Sequence, residues 1–171
     1  MTEHVKITIA DHVLHITLAR PEKKNALTQE MYVALKVALE AASADASVRV
    51  VLLIGAPGIF CSGNDIADFL AHPIRDEDAP VLRFLRTLIH FEKPIVAGVA
   101  GMAVGIGTTM LLHCDYVVAS EDAQFSTPFA NLEVTLGTHE IVWRHPQLGE
   151  RKQTVVVTAK APLRIVMDFN K

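Results

Sequence analysis

The apolar residues of this chain fall into short runs that alternate with amphipathic stretches. The first two runs alternate apolar and polar positions on either side of Asp11-His12, which is the pattern of a β-hairpin. Later runs are uncharged and rich in β-branched side chains, a pattern typical of strands buried on both faces. The predicted strands are residues 5–10, 13–19, 48–54, 95–99, 116–119 and 123–126.

Between these strands, apolar positions recur at helical spacing. Thr28 is a candidate N-cap for a helix that reaches about residue 42. Its predicted core stripe consists of Leu27, Met31, Leu35, Ala38 and Ala42. Asp78 is the predicted cap of another helix, whose inner side consists of Val81, Leu82, Leu85, Leu88 and Ile89. Residues 66–70 predict a short helix, and residues 105–113 are almost entirely apolar and predict a buried one. The alternation of strands and helices predicts an α/β domain with right-handed crossovers.

Two glycine-containing turns, residues 60–65 and 102–107, each lie between a predicted strand and a predicted helix. In a parallel sheet both turns lie at the carboxyl edge, where ligands bind. The first N–H groups of a helix have no acceptor within it, and its dipole favours an anion at that end. One N–H group from each turn can therefore converge on a single oxygen atom and form an oxyanion hole. The same pattern also fits two ordinary strand–helix turns of an α/β domain.

Composition and charge narrow the class of protein. The chain has 171 residues and is half apolar, which suffices for one globular domain, or for one domain and a small remainder. Its net charge of −3 gives no support for nucleic-acid binding. No apolar stretch reaches the roughly 18 residues that cross a bilayer, so we expect no membrane partner. The N-terminus shows no signal-peptide pattern and the two cysteines suggest no disulfide framework, so we expect a cytoplasmic protein.

Several familiar functional motifs are not matched. Gly105-Ile-Gly107 lacks the third glycine of a dinucleotide fingerprint, and residues 55–58 are not followed by the Gly-Lys-Ser/Thr of a P-loop. Ser62 lacks the preceding glycine of a nucleophile elbow. The histidines are not at metal-ligand spacing, and Cys61 has no adjacent cation that favours a thiolate. We therefore expect no metal site.

Three motifs and a Cys-Asp pair, in their order and spacing, resemble those of the crotonase (enoyl-CoA hydratase/isomerase) superfamily. They are Arg-Pro-Glu-Lys-Lys-Asn-Ala-Leu at 20–27, Phe-Cys-Ser-Gly-Asn-Asp-Ile at 60–66, Lys-Pro-Ile-Val-Ala-Gly-Val-Ala-Gly-Met-Ala-Val-Gly at 93–105, and then Cys114-Asp115. The resemblance covers residues 5–132. Gly-Asn-Asp-Ile, Ala-Val-Gly-Ile and Thr127-Pro-Phe129 together are most similar to the Δ3,Δ2-enoyl-CoA isomerase branch. The resemblance implies an α/β fold of the crotonase-like (ClpP/crotonase) type, a ββα superhelix.

The resemblance also implies the position of a site. The backbone N–H groups of Asn64 and Ile106 correspond to the family's oxyanion donors, which hold the thioester carbonyl oxygen of an acyl-CoA. Ile106 stands where most relatives have glycine, but a backbone donor survives that change. The implied CoA-binding residues are Lys23, Lys24, Ala26, Leu27, Ser62, Asp65 and Ile66. Coenzyme A enters as part of the substrate, so we expect no separate cofactor.

The catalytic acids are where the chain departs from the family. Thr109 and Phe129 stand at the positions of the two glutamates that hydratases use, and neither side chain carries a proton. This favours isomerisation, for which the resemblance requires a single glutamate that moves a proton between C2 and C4. Glu133 is the candidate base, and Glu140 lies nearby in sequence, although neither has the expected Pro-Glu-Gly context.

The family pattern stops after Leu132. Residues 133–171 contain short β-type runs such as 154–158 and hold six basic against four acidic residues, whereas the whole chain has 16 against 19. We therefore predict an acyl-CoA-binding core over residues 1–132 and a truncated or atypical tail of uncertain fold over 133–171. The tail is either read out of frame or a genuine divergent C-terminus. The resemblance implies a homotrimer or a dimer of trimers, whose contacts depend on helices that this tail lacks.

The functional prediction is an enoyl-CoA isomerase that stabilises a thioester enolate in fatty-acid metabolism. Two alternatives remain at this point. One is a crotonase-fold remnant that binds CoA esters without turnover, and the other is an enoyl-CoA hydratase that uses another carboxylate.

Overall fold

The computed structural model of the protein describes residues 2–128, 137–145 and 149–157. The chain divides into two compact units, Met1–Thr127 and Pro128–Lys171. The predicted division at residue 132 into a core and a tail stays a prediction. In the described part of the chain, no helix is both long enough and apolar enough to cross a bilayer.

The first unit alternates strands and helices as predicted. The strands are β1 (Val5–Ala10), β2 (Val13–Leu18), β3 (Val50–Gly55), β4 (Ile59–Cys61), β5 (Ile95–Val99), β6 (Met102–Val104), β7 (Tyr116–Ala119) and β8 (Gln124–Ser126). The helices are α1 (Gln29–Ala44), α2 (Ile66–Ala71), α3 (Pro80–Ile89) and α4 (Ile106–Thr109). Short 3-10 turns lie at Pro21–Lys23 and Met110–His113. Each predicted strand is present, with bounds shifted by at most two residues.

A five-stranded sheet has the strand order β1-β2-β3-β5-β7. The β1–β2 pair is antiparallel, and Asp11 and His12 join the two strands with φ angles of 48° and 67°. These left-handed conformations are those of a two-residue hairpin turn, so the predicted hairpin is confirmed. The remaining pairs of this sheet are parallel, so crossover connections join their strands.

A second, three-stranded parallel sheet has the order β4-β6-β8. Each of β3, β5 and β7 in the first sheet is therefore followed by a short strand in the second sheet, and a helix follows β4 and β6. The prediction treated β4 and β6 as parts of turns, which is wrong. Both strands are three residues long and lie between glycines, Gly58 and Gly63 for β4 and Gly101 and Gly105 for β6, a context that favours a turn.

Helix α1 forms as its sequence predicts. The Thr28 hydroxyl accepts a hydrogen bond from the Met31 N–H at 3.3 Å, so Thr28 is the N-cap. The whole predicted stripe is buried, with exposed fractions between 0% for Met31 and 4% for Ala38. This stripe packs toward β1 and β2 and toward α3.

Helix α3 differs from its prediction at both ends. Its N-cap is Ala79, which makes no side-chain cap, and Asp78 instead lies 4.0 Å from the Arg83 guanidinium. Pro80 occupies the first turn, where a missing N–H costs nothing, so no capping carboxylate is needed. Ile89 is 56% exposed, and Phe84 takes an inward position that the prediction did not give it.

The predicted helix over residues 105–113 is shorter and less regular than expected. It consists of α4 and a 3-10 turn, Met110–His113. Met110 and Leu111 are buried, but Leu112 is 81% exposed, so the prediction of burial along the whole segment is wrong. A 3-10 turn spaces side chains at three residues per turn, so an apolar run of this length cannot keep every member on one face.

The second unit contains β9 (Gly137–His145) and β10 (Gly149–Val157). They pair antiparallel in a register that places Gly137 opposite Val157. The β-type run predicted at 154–158 is therefore a strand as far as Val157.

Candidate functional site

The loop that contains Lys23 and Lys24 is anchored by a buried asparagine. Asn25 is fully buried and adopts a left-handed φ of 53°, which asparagine tolerates better than most residues. Its Oδ1 accepts from the Arg20 N–H at 2.8 Å, and its Nδ2 donates to the carbonyl oxygens of Ile59 and Phe60 at 2.8 and 3.1 Å. Asn25 thus ties the first motif directly to β4.

Main-chain hydrogen bonds continue this connection into the turn that follows β4. The Ser62 N–H donates to Lys24 O at 3.0 Å, the Leu27 N–H to Gly63 O at 2.8 Å, and the Asp65 N–H to Leu27 O at 2.8 Å. A trans peptide points its C=O and N–H in opposite directions. Because the Gly63 carbonyl faces Leu27, the Asn64 N–H of the same peptide points away from Leu27.

The two glycine turns lie against each other. Gly63 has a φ of 101°, and a Cβ at this position would lie 3.2 Å from Val104 O. A Cβ on Gly107 would lie 2.7 Å from Cys61 O. Residues that flank Asn64 in one turn are therefore in contact with residues that flank Ile106 in the other. This close approach requires glycine at both contact points.

Neither predicted oxyanion donor has an acceptor within the described residues. Ile106 is the first residue of α4, which follows Gly105 at φ 56° and ψ −118° and has no side-chain cap. No backbone or side-chain acceptor in the described ranges receives the N–H of Asn64 or of Ile106. Ile106 is buried, and a buried N–H rarely stays unpaired, so this group together with the Asn64 N–H on the adjoining turn forms a place suited to an electronegative atom.

An ion pair between Arg20 and Asp65 stabilises the turn that follows β4. Arg20 Nη1 donates to Asp65 Oδ2 at 2.7 Å and to Ala26 O at 3.0 Å. The hydrogen bond from Arg20 lowers the pKa of Asp65, with a further contribution from the Asp68 N–H that Asp65 accepts as cap of α2. The Asp65 carboxylate is therefore committed to the fold of the turn.

The predicted CoA-binding residues lie on two loops, 23–27 and 62–66, that are hydrogen-bonded to each other, but they differ in exposure. Lys23 and Lys24 are exposed, and within the described residues neither forms an ion pair. Ile66 is 63% exposed. Ala26 and Ser62 are half-buried. Leu27 is 1% exposed and uses both its N–H and its C=O in hydrogen bonds within the loops, so it positions the turn, and its contact with coenzyme A stays a prediction.

Of the residues considered for acid–base chemistry, only Thr109 has a described side chain. Thr109 is half-buried in α4 and carries no titratable group. Glu133 and Phe129 lie outside the described residues. Glu140 is within β9, of which only the main chain is described. The candidate base Glu133 therefore stays a prediction.

The sequence did not single out Tyr32, which contacts the site from the core. Its hydroxyl donates to Asn64 Oδ1, and its ring is 1% exposed. Burial raises the pKa of Tyr32, so the hydroxyl stays protonated. A tyrosine within an otherwise aliphatic helix face was the available signal, because a buried phenol requires a hydrogen-bond partner.

Known proteins are similar to this chain in both sequence and fold. The family model described as enoyl-CoA hydratase/isomerase matches residues 8–162, which extends past the last motif recognised in the sequence. Enoyl-CoA delta isomerase 2 of Rattus norvegicus is 41% identical over 134 residues, covering 75% of this chain and 34% of that protein. Peroxisomal enoyl-CoA delta isomerase 3 of Mus musculus is 39% identical over 137 residues, covering 77% of this chain and 43% of that protein.

A solved structure gives the same result. Pseudomonas aeruginosa OdaA superposes with a TM-score of 0.75 at 47% identity, over 80% of this chain and 55% of that chain. The chain thus spans between 34% and 55% of the length of these relatives. Both comparisons confirm the resemblance drawn from the motifs. The protein belongs to the enoyl-CoA hydratase/isomerase (crotonase) family, on its isomerase branch, and has the crotonase-like α/β fold.

Proposed function

We propose that this protein binds an acyl-CoA thioester and isomerises its double bond through an enolate whose oxygen is held by the N–H groups of Asn64 and Ile106. One observation carries the proposal: these two amides lie on adjoining turns and have no acceptor within the described residues. The family contributes the substrate class, because the names of its members refer to enoyl-CoA.

The chemistry follows from the site. Removal of an α-proton from a thioester moves negative charge onto the carbonyl oxygen, and donors already directed at that oxygen stabilise the charge. A proton returned at C4 instead of C2, or the reverse, moves the double bond. In this proposal Glu133 carries the proton, and the reaction belongs to fatty-acid metabolism.

The exposed Lys23 and Lys24 are the proposed contacts for the phosphates of coenzyme A. They stand on a loop whose main chain is fixed by Asn25 and by the hydrogen bonds to Ser62 and Gly63. A fixed loop with exposed ammonium groups at its tip is suited to a phosphate, for which lysine acts as a point charge. Ile66, exposed at the start of α2, offers an apolar surface for the pantetheine arm.

A second candidate is binding of CoA esters without turnover. Binding alone requires only the two amides, whereas isomerisation also requires Glu133, and Thr109 supplies no alternative proton carrier on α4. Two measurements on the purified full chain separate the candidates: conversion of a 3-enoyl-CoA to the 2-enoyl isomer, and titration calorimetry with the same ligand.

Turnover together with binding supports the isomerase. Binding without turnover supports the second candidate, and absence of both overturns the proposal. Addition of water to crotonyl-CoA, measured beside them, would instead indicate a hydratase.

A further inference from the structure

Tyr32 connects the hydrophobic core to the turn that carries Asn64. It lies in the first turns of α1 and is 1% exposed. Its ring packs on that of Phe84 in α3, with centroids 5.6 Å apart and planes at 41°. Its hydroxyl is the one polar group of the side chain, and it donates to Asn64 Oδ1. The Asn64 side chain is thus held from the core although the residue as a whole is exposed.

This hydrogen bond completes the fixation of residue 64. The peptide before it is held by the bond from the Leu27 N–H to Gly63 O, and the peptide after it by the bond from the Asp65 N–H to Leu27 O. Both of these bonds lie on the side of the first loop. The Tyr32 hydroxyl adds a contact from α1, so the turn is supported by a second element of the fold.

The chemistry of the pair favours a lasting contact. A buried phenol that loses its partner is left with an unsatisfied donor, which costs about 1–3 kcal/mol. Asn64 Oδ1, by contrast, can be solvated when it is not bonded. The Tyr32–Asn64 hydrogen bond therefore holds the turn against α1, because breaking it leaves the tyrosine hydroxyl buried without a partner.

We propose that Tyr32 is a positioning residue for the thioester-polarising N–H of Asn64, acting through the Asn64 side chain without touching the substrate. The inference rests on the proposed function, since it requires that this N–H bind the thioester oxygen. It assigns to the Asn64 side chain a role that is separate from that of the Asn64 backbone donor.

The test compares three substitutions in the full chain. Tyr32→Phe removes the hydroxyl and keeps the ring against Phe84. Asn64→Ala removes the Oδ1 acceptor and keeps the backbone N–H. Tyr116→Phe is the matched control, because it removes the same atom from a side chain that is 66% exposed on β7.

The readout is the ultraviolet absorption of bound cinnamoyl-CoA, a conjugated thioester whose band moves to longer wavelength when its carbonyl oxygen is polarised. We expect Tyr32→Phe and Asn64→Ala each to lose about half or more of the shift seen with the wild type, while the dissociation constant changes less than about threefold. The double variant should lose no more than the more affected single variant, because both changes break one contact. Tyr116→Phe should match the wild type.

The results distinguish the possible failures. A full shift in Tyr32→Phe overturns the role of Tyr32 and leaves the proposed function standing. Additive losses in the double variant also overturn it, since they mean that the two side chains act separately. A wild type that binds cinnamoyl-CoA with no shift, or does not bind it, overturns the proposed function and this inference with it. All spectra are recorded well below the unfolding temperature of each variant, so loss of folded protein does not contribute.

Discussion

Gly107 lies with its α-carbon directly against Cys61. A Cβ at residue 107 would be 2.7 Å from the carbonyl oxygen of Cys61, 2.9 Å from its Cβ and 3.2 Å from its Sγ. The first of these atoms belongs to β-strand backbone and the other two to a side chain that is itself buried, so none of them moves at low cost. The absence of a side chain at residue 107 therefore sets how closely α4 approaches β4.

The first prediction concerns this contact. We expect Gly107→Ala to lower the free energy of unfolding by about 1–3 kcal/mol, because the added methyl group overpacks the contact with Cys61. Gly98→Ala is the control, since a Cβ there meets only a side-chain methyl group of Ile54, at 3.1 Å, and no backbone atom within 4 Å. Urea denaturation of both variants measures the difference. Equal destabilisation of the two would show that the contact is not tight.

The second prediction separates the Ile106 backbone donor from its side chain. Ile106→Pro removes the N–H at the first position of α4, where proline is tolerated, and Ile106→Ala removes side-chain atoms but keeps the N–H. We expect the proline variant to lose about 10²–10³-fold in kcat relative to the alanine variant, as for loss of one oxyanion donor. Isomerase kinetics on a 3-enoyl-CoA measure it. Equal rates in the two variants would contradict a role for this N–H.

The third prediction addresses Asn25. Asn25→Ala leaves the carbonyl oxygens of Ile59 and Phe60 and the N–H of Arg20 without their present partners, so we expect a loss of about 2–4 kcal/mol. Lys24→Ala is a matched control for backbone strain, because Lys24 has a φ of 52° but an exposed side chain. Thermal and denaturant unfolding compare the two. A control as unstable as the Asn25 variant would assign the effect to the backbone alone.

The fourth prediction concerns alkaline pH. Burial raises the pKa of Cys61 from 9.0 to about 11. Above pH 9 the unfolded chain releases this proton while the folded chain retains it. Deprotonation therefore favours the unfolded state, and the free energy of unfolding falls as the pH rises toward 11. We expect Cys61→Ala to lose less stability than the wild type between pH 8 and about pH 10.5, by roughly 1–3 kcal/mol. Denaturant unfolding at both values tests this. Parallel pH dependences would show that the thiol does not contribute.

Sequence reasoning succeeded where the signal is local. The Asp11-His12 hairpin and the Thr28 cap depend on neighbouring residues, and the stripe of α1 depends on a period that its length makes visible. The same reasoning assigned the cap of α3 to Asp78 because aspartate is a good cap. Pro80 had already removed the need for one. Burial of Phe84 in place of Ile89 is decided by packing on Tyr32, which no local pattern contains.

The site was predictable in part for the same reason. The motifs gave the segments and the resemblance gave Asn64 and Ile106, but the contacts that hold these segments join distant residues. Asn25 and Phe60 are separated by 35 positions and Tyr32 and Asn64 by 32. A single sequence specifies such pairs only through the folded chain, so the supporting role of Asn25 and Tyr32 emerged from the structure.

The peptide between Gly63 and Asn64, tied by its carbonyl to Leu27, has a consequence for how the protein responds to damage. In water, solvent molecules around a thioester must reorient whenever negative charge moves onto its oxygen. An amide that is held by a hydrogen bond has its orientation fixed when the chain folds and keeps it between turnovers. If the Asn64 N–H binds the thioester oxygen as proposed, loosening of this hydrogen bond slows turnover before it weakens binding of the ligand. Partial thermal or chemical damage to the protein would then lower the turnover rate first, while the protein still binds its ligand.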